Sequence, residues 1–229
     1  MRLQWQIMIS QRYQTFTEIA KSMTVAIRDP LTTLKTYSYH YNKRLDDKVF
    51  LEKFGHVLSK EIQKIQDLTD GLGKYSSPEP LLIQRTDIYF LMNEVLEGLN
   101  HQLNSKKISI HKNYDEKASF WLRVDPKQLQ QVLTNIILRA FKAMSSGGKL
   151  SVRMEKKDNI FLIFIKDTGI AIPKDQLERI FDPFYRYQEE NQGLELAIAF
   201  SIIENHGGKI LVESSAQKGN EFIIQLPLQ

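Results

Sequence analysis

Residues 125–144 read DPKQLQQVLTNIILRAFKAM, and this stretch decides how the rest of the chain is interpreted. Its apolar residues recur at the three- and four-residue spacing of a helix with one buried side, which predicts a helix over 126–144. The same spacing predicts helices over 88–103 and 194–205. Short runs rich in β-branched and aromatic residues predict strands over 108–111, 149–154, 160–166, 209–213 and 221–226. Helices and strands that mix without strict alternation predict an α+β fold, an α/β sandwich with one mixed sheet under helices.

Upstream of this region the pattern is purely helical. Apolar residues fall three or four apart over 16–41 and again over 50–72, on either side of a polar stretch at 42–48. We therefore expect a helical hairpin, with a kink near Ala26 because Pro30 removes a backbone donor. Two helices with one apolar side each cannot cover each other completely. Pairing with a second hairpin in a homodimeric four-helix bundle is favoured, and a monomeric hairpin packed on the rest of the chain is the alternative.

A concentrated run of glycine, serine and proline at 71–80 predicts the linker of the chain. Gly71 and Gly73 are expected to end the second helix there. We place the domain boundary within this run, which gives a helical hairpin dimerisation domain at 1–77 and a separate α/β sandwich domain at 78–229.

Composition excludes several classes of protein. With 229 residues, 42% hydrophobic and 25% charged, the chain fits one large or two modest folded domains. It has no cysteine, so disulfides, thiolate nucleophiles and cysteine-based zinc sites are excluded. The net charge is +4, but 31 basic residues are interleaved with 27 acidic ones, so no nucleic-acid partner is expected. The apolar start at 5–9 is far shorter than the ~20 residues of a membrane span, so we expect a cytoplasmic chain without one.

Six short motifs follow in the order and spacing of a histidine kinase ATP-binding domain. They are Asp125-Pro126, Gln131-Val132-Leu133-Thr134-Asn135, Asp167-Thr168-Gly169, Ile180-Phe181-Asp182-Pro183-Phe184, Gly193-Leu194-Glu195-Leu196-Ala197-Ile198 and His206-Gly207-Gly208. Residues 80–229 resemble that domain. The earlier motif Ile27-Arg28-Asp29-Pro30-Leu31 resembles the dimerisation and phosphoacceptor hairpin of the same family. The chain as a whole is similar to the transmitter core of a bacterial sensor histidine kinase, with degenerate catalytic motifs.

The resemblance implies a phosphoacceptor histidine and an acidic base on the hairpin, but the two positions hold Val25 and Ala26. Valine has no nucleophilic or titratable atom, so autophosphorylation at this position is excluded. The family's phosphatase activity uses the acidic residue and an amide or hydroxyl one turn later. Here the later residue is Asp29, whose carboxylate would repel a phosphorylated aspartate. A solvated helix residue is the other interpretation of Asp29.

The resemblance also implies ATP and Mg²⁺ as cofactors. If nucleotide binding is retained, the residues that match the family's site are Asn135, Lys142, Asp167, Gly169 and Gly193. The carboxylate among them, Asp167, would accept a hydrogen bond from the adenine amino group.

Three substitutions alter this pocket. Arg139 stands four residues after Asn135, where the family has an asparagine that binds magnesium. A guanidinium has no lone pair and cannot coordinate a cation, although it can neutralise phosphate. Ala171 and Glu195 replace glycines, and Glu195 places negative charge where a polyphosphate would lie. Tight Mg-ATP binding is therefore not expected. We expect an Arg139–Glu195 ion pair that plugs the cleft, with both side chains in solvent as the alternative.

These observations favour a degenerate histidine kinase, a pseudokinase of two-component signal transduction. Its expected partners are a response regulator receiver domain or a partner histidine kinase. The alternative is an enzyme with residual nucleotide binding or phosphotransfer. A member of the wider ATPase superfamily, such as an anti-sigma kinase, is disfavoured by the hairpin at 15–72. His40 is a weaker candidate for a displaced phosphoacceptor. No metal site is predicted, because His56, His101 and His111 lack metal-ligand spacing.

Overall fold

The computed structural model describes residues 2–76, 80–115, 119–185 and 194–228, with backbone only at 2–21 and 74–76. Two compact units are present. One comprises Met1–Ser77 with Asp182–Leu194, and the other comprises Pro78–Phe181 with Glu195–Gln229. The predicted domain boundary falls at 77–79, outside the described residues, and stays a prediction.

The first unit is a helical hairpin, in which α1 spans Arg2–Tyr41 and α2 spans Lys48–Ser76. Asp47 caps α2, because its Oδ1 accepts a hydrogen bond from the Phe50 amide at 3.0 Å. Helix α1 begins well before residue 16, so the predicted start was wrong. No glycine or proline precedes Pro30, so nothing in the sequence stops the helix earlier. The helix also continues through Pro30 without a break.

Helix α2 continues past Gly71 and Gly73, so the prediction that these glycines end it was wrong. Gly71 is buried, and a Cβ at this position would lie 2.6 Å from Cδ1 of Leu194. Glycine is therefore present because it permits a close side-chain approach. Four aromatic rings close the other end of the hairpin. Tyr37 stacks on Phe50 at 5.9 Å and on Phe54 at 6.0 Å, and Tyr41 lies 5.3 Å from Phe54.

The second unit is an α+β fold. In chain order its strands are β1 Gln84–Asp87, β2 Ile108–Asn113, β3 Trp121–Val124, β4 Gly148–Lys157, β5 Ile160–Asp167, β6 Lys209–Ser215 and β7 Gly219–Pro227. Its helices are α3 Ile88–Ser105, α4 Pro126–Ala143 and α5 Glu195–Asn205, with a short 3-10 helix at Lys174–Gln176. The predicted helices and strands over 88–226 are confirmed, with ends that differ by a few residues.

Five strands form a mixed sheet in the order β2-β4-β5-β7-β6. Strands β2 and β4 are parallel and the remaining neighbours are antiparallel, which confirms the predicted mixed sheet under helices. Strands β1 and β3 form a separate antiparallel pair that the sequence did not predict. Helix α4 buries Leu129, Val132, Leu133, Ile136 and Ile137 completely, so the stretch that decides the fold is also the centre of the core. Within the described ranges, none of the helices has the length and apolarity that a membrane crossing requires.

Candidate functional site

Helix α4 positions the candidate site, and its start is fixed by Asp125. The Asp125 carboxylate accepts hydrogen bonds from the Gln128 amide at 3.1 Å and the Leu82 amide at 2.9 Å. Its own amide donates to Nε2 of His206 at 2.9 Å, and Nδ1 of that ring lies 2.8 Å from the Ile202 carbonyl oxygen. Since Nε2 accepts, Nδ1 carries the proton and donates. The start of α4 is therefore tied to the end of α5.

Asn135, Arg139 and Lys142 occupy α4 at spacings of four and three residues, which places them along one side of the helix. Asn135 donates from Nδ2 to the Glu195 carbonyl oxygen at 2.9 Å. Lys142 Nζ donates to Glu195 Oε1 at 3.1 Å, and both side chains are partly exposed. The first residue of α5 is thus held by two side chains of α4.

Arg139 points instead to Asp167, the last residue of β5. Its Nη1 lies 3.5 Å from Oδ2 of Asp167, and its guanidinium carbon lies 5.1 Å from the centre of the Phe222 ring. The two charged side chains are only 8% and 1% exposed. This is a buried ion pair. Removal of one partner from such a pair lowers the free energy of unfolding, because the other charge is left buried and unpaired.

The two carboxylate oxygens of Asp167 have different surroundings. Oδ1 accepts hydrogen bonds from the Gly169 amide and from Nδ2 of Asn220, each at 2.8 Å. Oδ2 is buried and accepts no hydrogen bond from any residue that the structure describes. Burial raises the pKa of the Asp167 carboxyl above its ordinary value, while the Asn220 hydrogen bond, the Arg139 charge and the Gly169 amide oppose that rise.

The loop after Asp167 packs tightly against the end of α4. A Cβ on Gly169 would lie 2.6 Å from the Ala143 carbonyl oxygen, which also accepts a hydrogen bond from the Ile170 amide at 3.1 Å. Only glycine fits there. Ala171, in contrast, is not among the non-glycine residues with positive φ, so alanine costs little at the position where the family has a second glycine.

Sequence reasoning missed Asn220, which holds this loop. The side chain is fully buried. Its Nδ2 donates to Asp167 and to the Ile170 carbonyl oxygen, and its Oδ1 accepts from the Ile172 amide at 3.1 Å and the Ser214 hydroxyl at 2.8 Å. The available signal was an asparagine at the start of β7, two residues before its apolar run, since a buried amide needs several partners.

The predicted ion pair between Arg139 and Glu195 is wrong. The structure has two other pairs, Arg139 with Asp167 and Lys142 with Glu195. The helical repeat explains why the partners differ from the prediction, because Lys142 lies almost one turn beyond Arg139. Lys142 therefore contacts the start of α5, while Arg139 reaches the sheet. Gly193, the remaining predicted residue, lies outside the described residues, as do all residues of 186–193.

The predicted positions on the hairpin differ in exposure. Val25 is 54% exposed on α1, whereas Ala26 is buried. His40 is exposed near the end of α1, with its ring edge-on to Tyr39 at 5.4 Å between centres. The position that we predicted to match the phosphoacceptor therefore faces solvent but carries an aliphatic side chain.

The residues present fit one half of Mg-ATP and not the other. Oδ2 of Asp167 is an acceptor that receives no hydrogen bond from the described residues, which suits an amino group such as that of adenine. Arg139 offers only donors and does not fit Mg²⁺. In the part of the chain that the structure describes, no three His, Asp or Glu side chains gather as metal ligands.

Comparison with known proteins shows which proteins the chain is similar to. Residues 124–229 match the family of histidine kinase-, DNA gyrase B- and HSP90-like ATPases. Most of the matched residues lie in the second unit, and over 92% of its length the chain is similar to a sensor histidine kinase.

Particular relatives are similar along both units. The chain is 30% identical over 210 residues to the sensor histidine kinase ZraS of Escherichia coli K12, covering 92% of this chain and 45% of ZraS. It is 29% identical over 214 residues to sporulation kinase E of Bacillus subtilis 168, covering 93% of this chain and 28% of that kinase. The chain thus spans less than half the length of these two relatives.

A solved structure extends the likeness to the fold. The histidine kinase ThkA, in its complex with the response regulator protein TrrA, superposes with a TM-score of 0.82 at 25% identity. The match covers 96% of this chain and 64% of the ThkA chain. The isolated catalytic domain of ThkA matches 63% of this chain with a TM-score of 0.57 at 26% identity.

Proposed function

We propose that this chain is a degenerate histidine kinase, a pseudokinase of two-component signal transduction. It acts by binding a response regulator receiver domain or a partner histidine kinase, and it does not autophosphorylate at residue 25. The observation that carries the proposal is the buried pair of Arg139 and Asp167. In support of it, the guanidinium at the position that we predicted to match the magnesium ligand is buried between a carboxylate and a ring.

The hairpin supports the same function. Its Val25 position faces solvent, as a phosphoacceptor would, but no atom of valine can attack a phosphoryl group. What the hairpin retains is a surface for contacts with other proteins. The ThkA structure contains a response regulator, and the likeness to that kinase makes a receiver domain the natural candidate partner.

We place the function in a cytoplasmic homodimer that assembles through residues 1–77, with 78–229 as the ATPase-like domain. Apolar side chains remain exposed on both helices of the hairpin, including Leu31, Leu58 and Ile62. Such residues are covered when two hairpins pair into a four-helix bundle. Light scattering at micromolar concentration should give the mass of two chains, and a monomer mass with the hairpin folded would contradict the dimer.

Residual nucleotide binding is the second candidate function. Oδ2 of Asp167 and the tight Gly169 loop favour it, because both are features that a purine site uses. In that case Arg139 and Lys142 supply positive charge near the phosphates without a metal ion.

Isothermal titration with ATP, in the presence and absence of Mg²⁺, tests the proposal. We expect no Mg²⁺-dependent binding by the unmodified chain. The variant Arg139→Asn should gain Mg²⁺ dependence, and Arg153→Asn is the matched control because it removes an arginine from β4, away from the site. Micromolar Mg²⁺-dependent binding with Arg139 intact would overturn the pseudokinase assignment in favour of an ATP-binding enzyme.

A further inference from the structure

The second unit carries an exposed aromatic and basic surface on the ribbon formed by β1 and β3. Leu122 and Val124 are buried, so the alternate residues of β3, Trp121 and Arg123, face solvent. Trp121 is 50% exposed, although a tryptophan normally buries most of its surface. We name the surface formed by Arg85, Trp121 and Arg123 the Arg–Trp face.

Two arginines lie directly opposite each other on this face. Arg85 of β1 pairs in register with Arg123 of β3, and the guanidinium carbon of Arg85 lies 4.8 Å from the centre of the Trp121 ring. Like charges placed directly opposite each other destabilise a pair of strands. Among the described residues, no carboxylate lies within ion-pair distance of either arginine.

The nearest carboxylate on the ribbon has another role. Asp87 lies opposite Trp121, but its Oδ1 accepts hydrogen bonds from the amides of Tyr89, Phe90 and Phe120. Asp87 therefore caps α3 and joins the two strands. Three residues after Asp87, in the first turn of α3, Phe90 is 63% exposed and offers a second exposed ring.

Elsewhere in the same unit, an arginine that lies over an aromatic ring has a carboxylate of the same strand as its ion-pair partner. Arg153 of β4 lies over the Phe164 ring at 3.6 Å from the ring centre, and it forms an ion pair with Glu155 on the same strand. Each site thus has an arginine over an aromatic ring. Arg153 has a carboxylate beside it, whereas Arg85 has a second arginine opposite it. In the part of the chain that the structure describes, no carboxylate does at the Arg–Trp face what Glu155 does beside Arg153.

We propose that the Arg–Trp face is a docking surface for an acidic segment of a partner protein that also carries apolar side chains. Tryptophan and arginine are the residues that most often dominate protein interfaces. Carboxylates of the partner would lie between Arg85 and Arg123 and remove their repulsion, while its apolar side chains would cover Trp121 and Phe90.

Other occupants fit less well. A second copy of this chain has a net charge of +4, and a two-fold contact through this face would place arginine against arginine. A nucleic acid needs a stripe of basic residues along its phosphates, and the face offers two. An anionic membrane surface is recognised by clusters of about four to eight basic residues. The charge and the exposed rings together therefore favour an acidic protein segment.

Fluorescence titration tests the proposal with a defined probe. The background variant Trp5→Phe leaves Trp121 as the reporter, since the chain has two tryptophans. The probe is a short synthetic peptide that alternates glutamate with leucine. We expect saturable quenching or enhancement of Trp121 fluorescence, and a loss of about tenfold in affinity with Arg123→Glu or Arg85→Ala. Arg153→Ala, the matched control, should change affinity less than about twofold.

Thermal stability provides a second measurement, which distinguishes a docking role of the two arginines from a purely structural one. Arg123→Glu places a carboxylate opposite Arg85, so the variant should unfold at a higher temperature than the unmodified chain while it loses the peptide. Three outcomes would each overturn the proposal. They are no binding of the acidic peptide, equal losses for Arg123→Glu and Arg153→Ala, and tighter binding of phosphatidylserine vesicles or a thymidine oligonucleotide than of the peptide.

Discussion

The guanidinium of Arg139 and the carboxylate of Asp167 lie 3.5 Å apart in the interior of the ATPase-like unit. The pair joins α4 to β5, the elements with the positions that we predicted to match the family's magnesium ligand and adenine-binding aspartate. In the proposed pseudokinase, Arg139 therefore does more than remove a ligand. It introduces a charge whose partner is a residue of the same site.

Removal of either partner should be costly. Arg139→Met leaves a carboxylate buried without its cation, and we expect a loss of about 3 kcal/mol in the free energy of unfolding. Asp167→Asn should give a loss of similar size. The double variant should recover much of it, because neither charge remains, and urea denaturation of all four proteins measures the coupling. Losses that simply add would show that the two groups do not interact.

Stability should depend on pH through Asp167. A carboxyl with a raised pKa binds its proton more tightly when folded than when unfolded. Its contribution to stability is therefore complete below the ordinary pKa of 3.8 and is lost as the pH rises through the higher folded value.

Asp167→Asn cannot titrate and loses this dependence. The unfolding free energy of the variant minus that of the unmodified chain should thus increase as the pH rises above 3.8, then level off. Urea denaturation from acidic to neutral pH measures this difference in unfolding free energy. Asp175→Asn, at an exposed position, is the control. A difference that falls over this range would contradict the direction of the shift.

Restoring the phosphoacceptor alone should not restore labelling. Val25→His supplies a nucleophile at an exposed position, so the free energy of unfolding should change by less than about 0.5 kcal/mol. Incubation with radiolabelled ATP and Mg²⁺ should leave no acid-labile phosphate, because Arg139 still occupies the position where we predicted that the family has its magnesium ligand. Labelling of this single variant would show that the pocket remains competent.

Two glycines of α2 should respond oppositely to alanine. A Cβ added at Gly55 would meet no neighbouring atom within 4 Å, so Gly55→Ala should stabilise the hairpin by about 1 kcal/mol through helix propensity. Gly71→Ala places Cβ 2.6 Å from Leu194, and the required shift should cancel that gain or reverse it. Thermal unfolding followed by circular dichroism distinguishes the two, and equal stabilisation would argue against the Leu194 contact.

The strongly periodic elements could be predicted from sequence because their signals are local. Helix α4 and strands β4 and β5 have long apolar patterns, and the structure contains them. Strand β1 reads QRTD and has no apolar residue, so no pattern marks it. It exists because it pairs with β3, which has only four residues of its own. Short strands defined by their partners cannot be recognised from one segment.

The candidate site was predicted as a set of residues but not as a set of contacts. Asn135 and Lys142 both contact Glu195, while Asp167 accepts a hydrogen bond from the Gly169 amide. Their assignment to one nucleotide site stays a prediction. The partner of Arg139 was predicted incorrectly, since Glu195 and Asp167 are both distant in sequence and both acidic. Only the direction of α4 relative to β5 decides between them, and that direction depends on core packing.

The buried position of Arg139 makes the proposed loss of catalysis difficult to reverse during evolution. Val25 is exposed, so histidine could return there at little cost to folding. Replacement of Arg139 by asparagine would leave Asp167 buried without its cation before any catalytic benefit appeared. A lineage that carries both changes would therefore have to pass through a less stable intermediate. The ion pair therefore opposes a return to catalysis, and selection can then act on the binding surfaces alone.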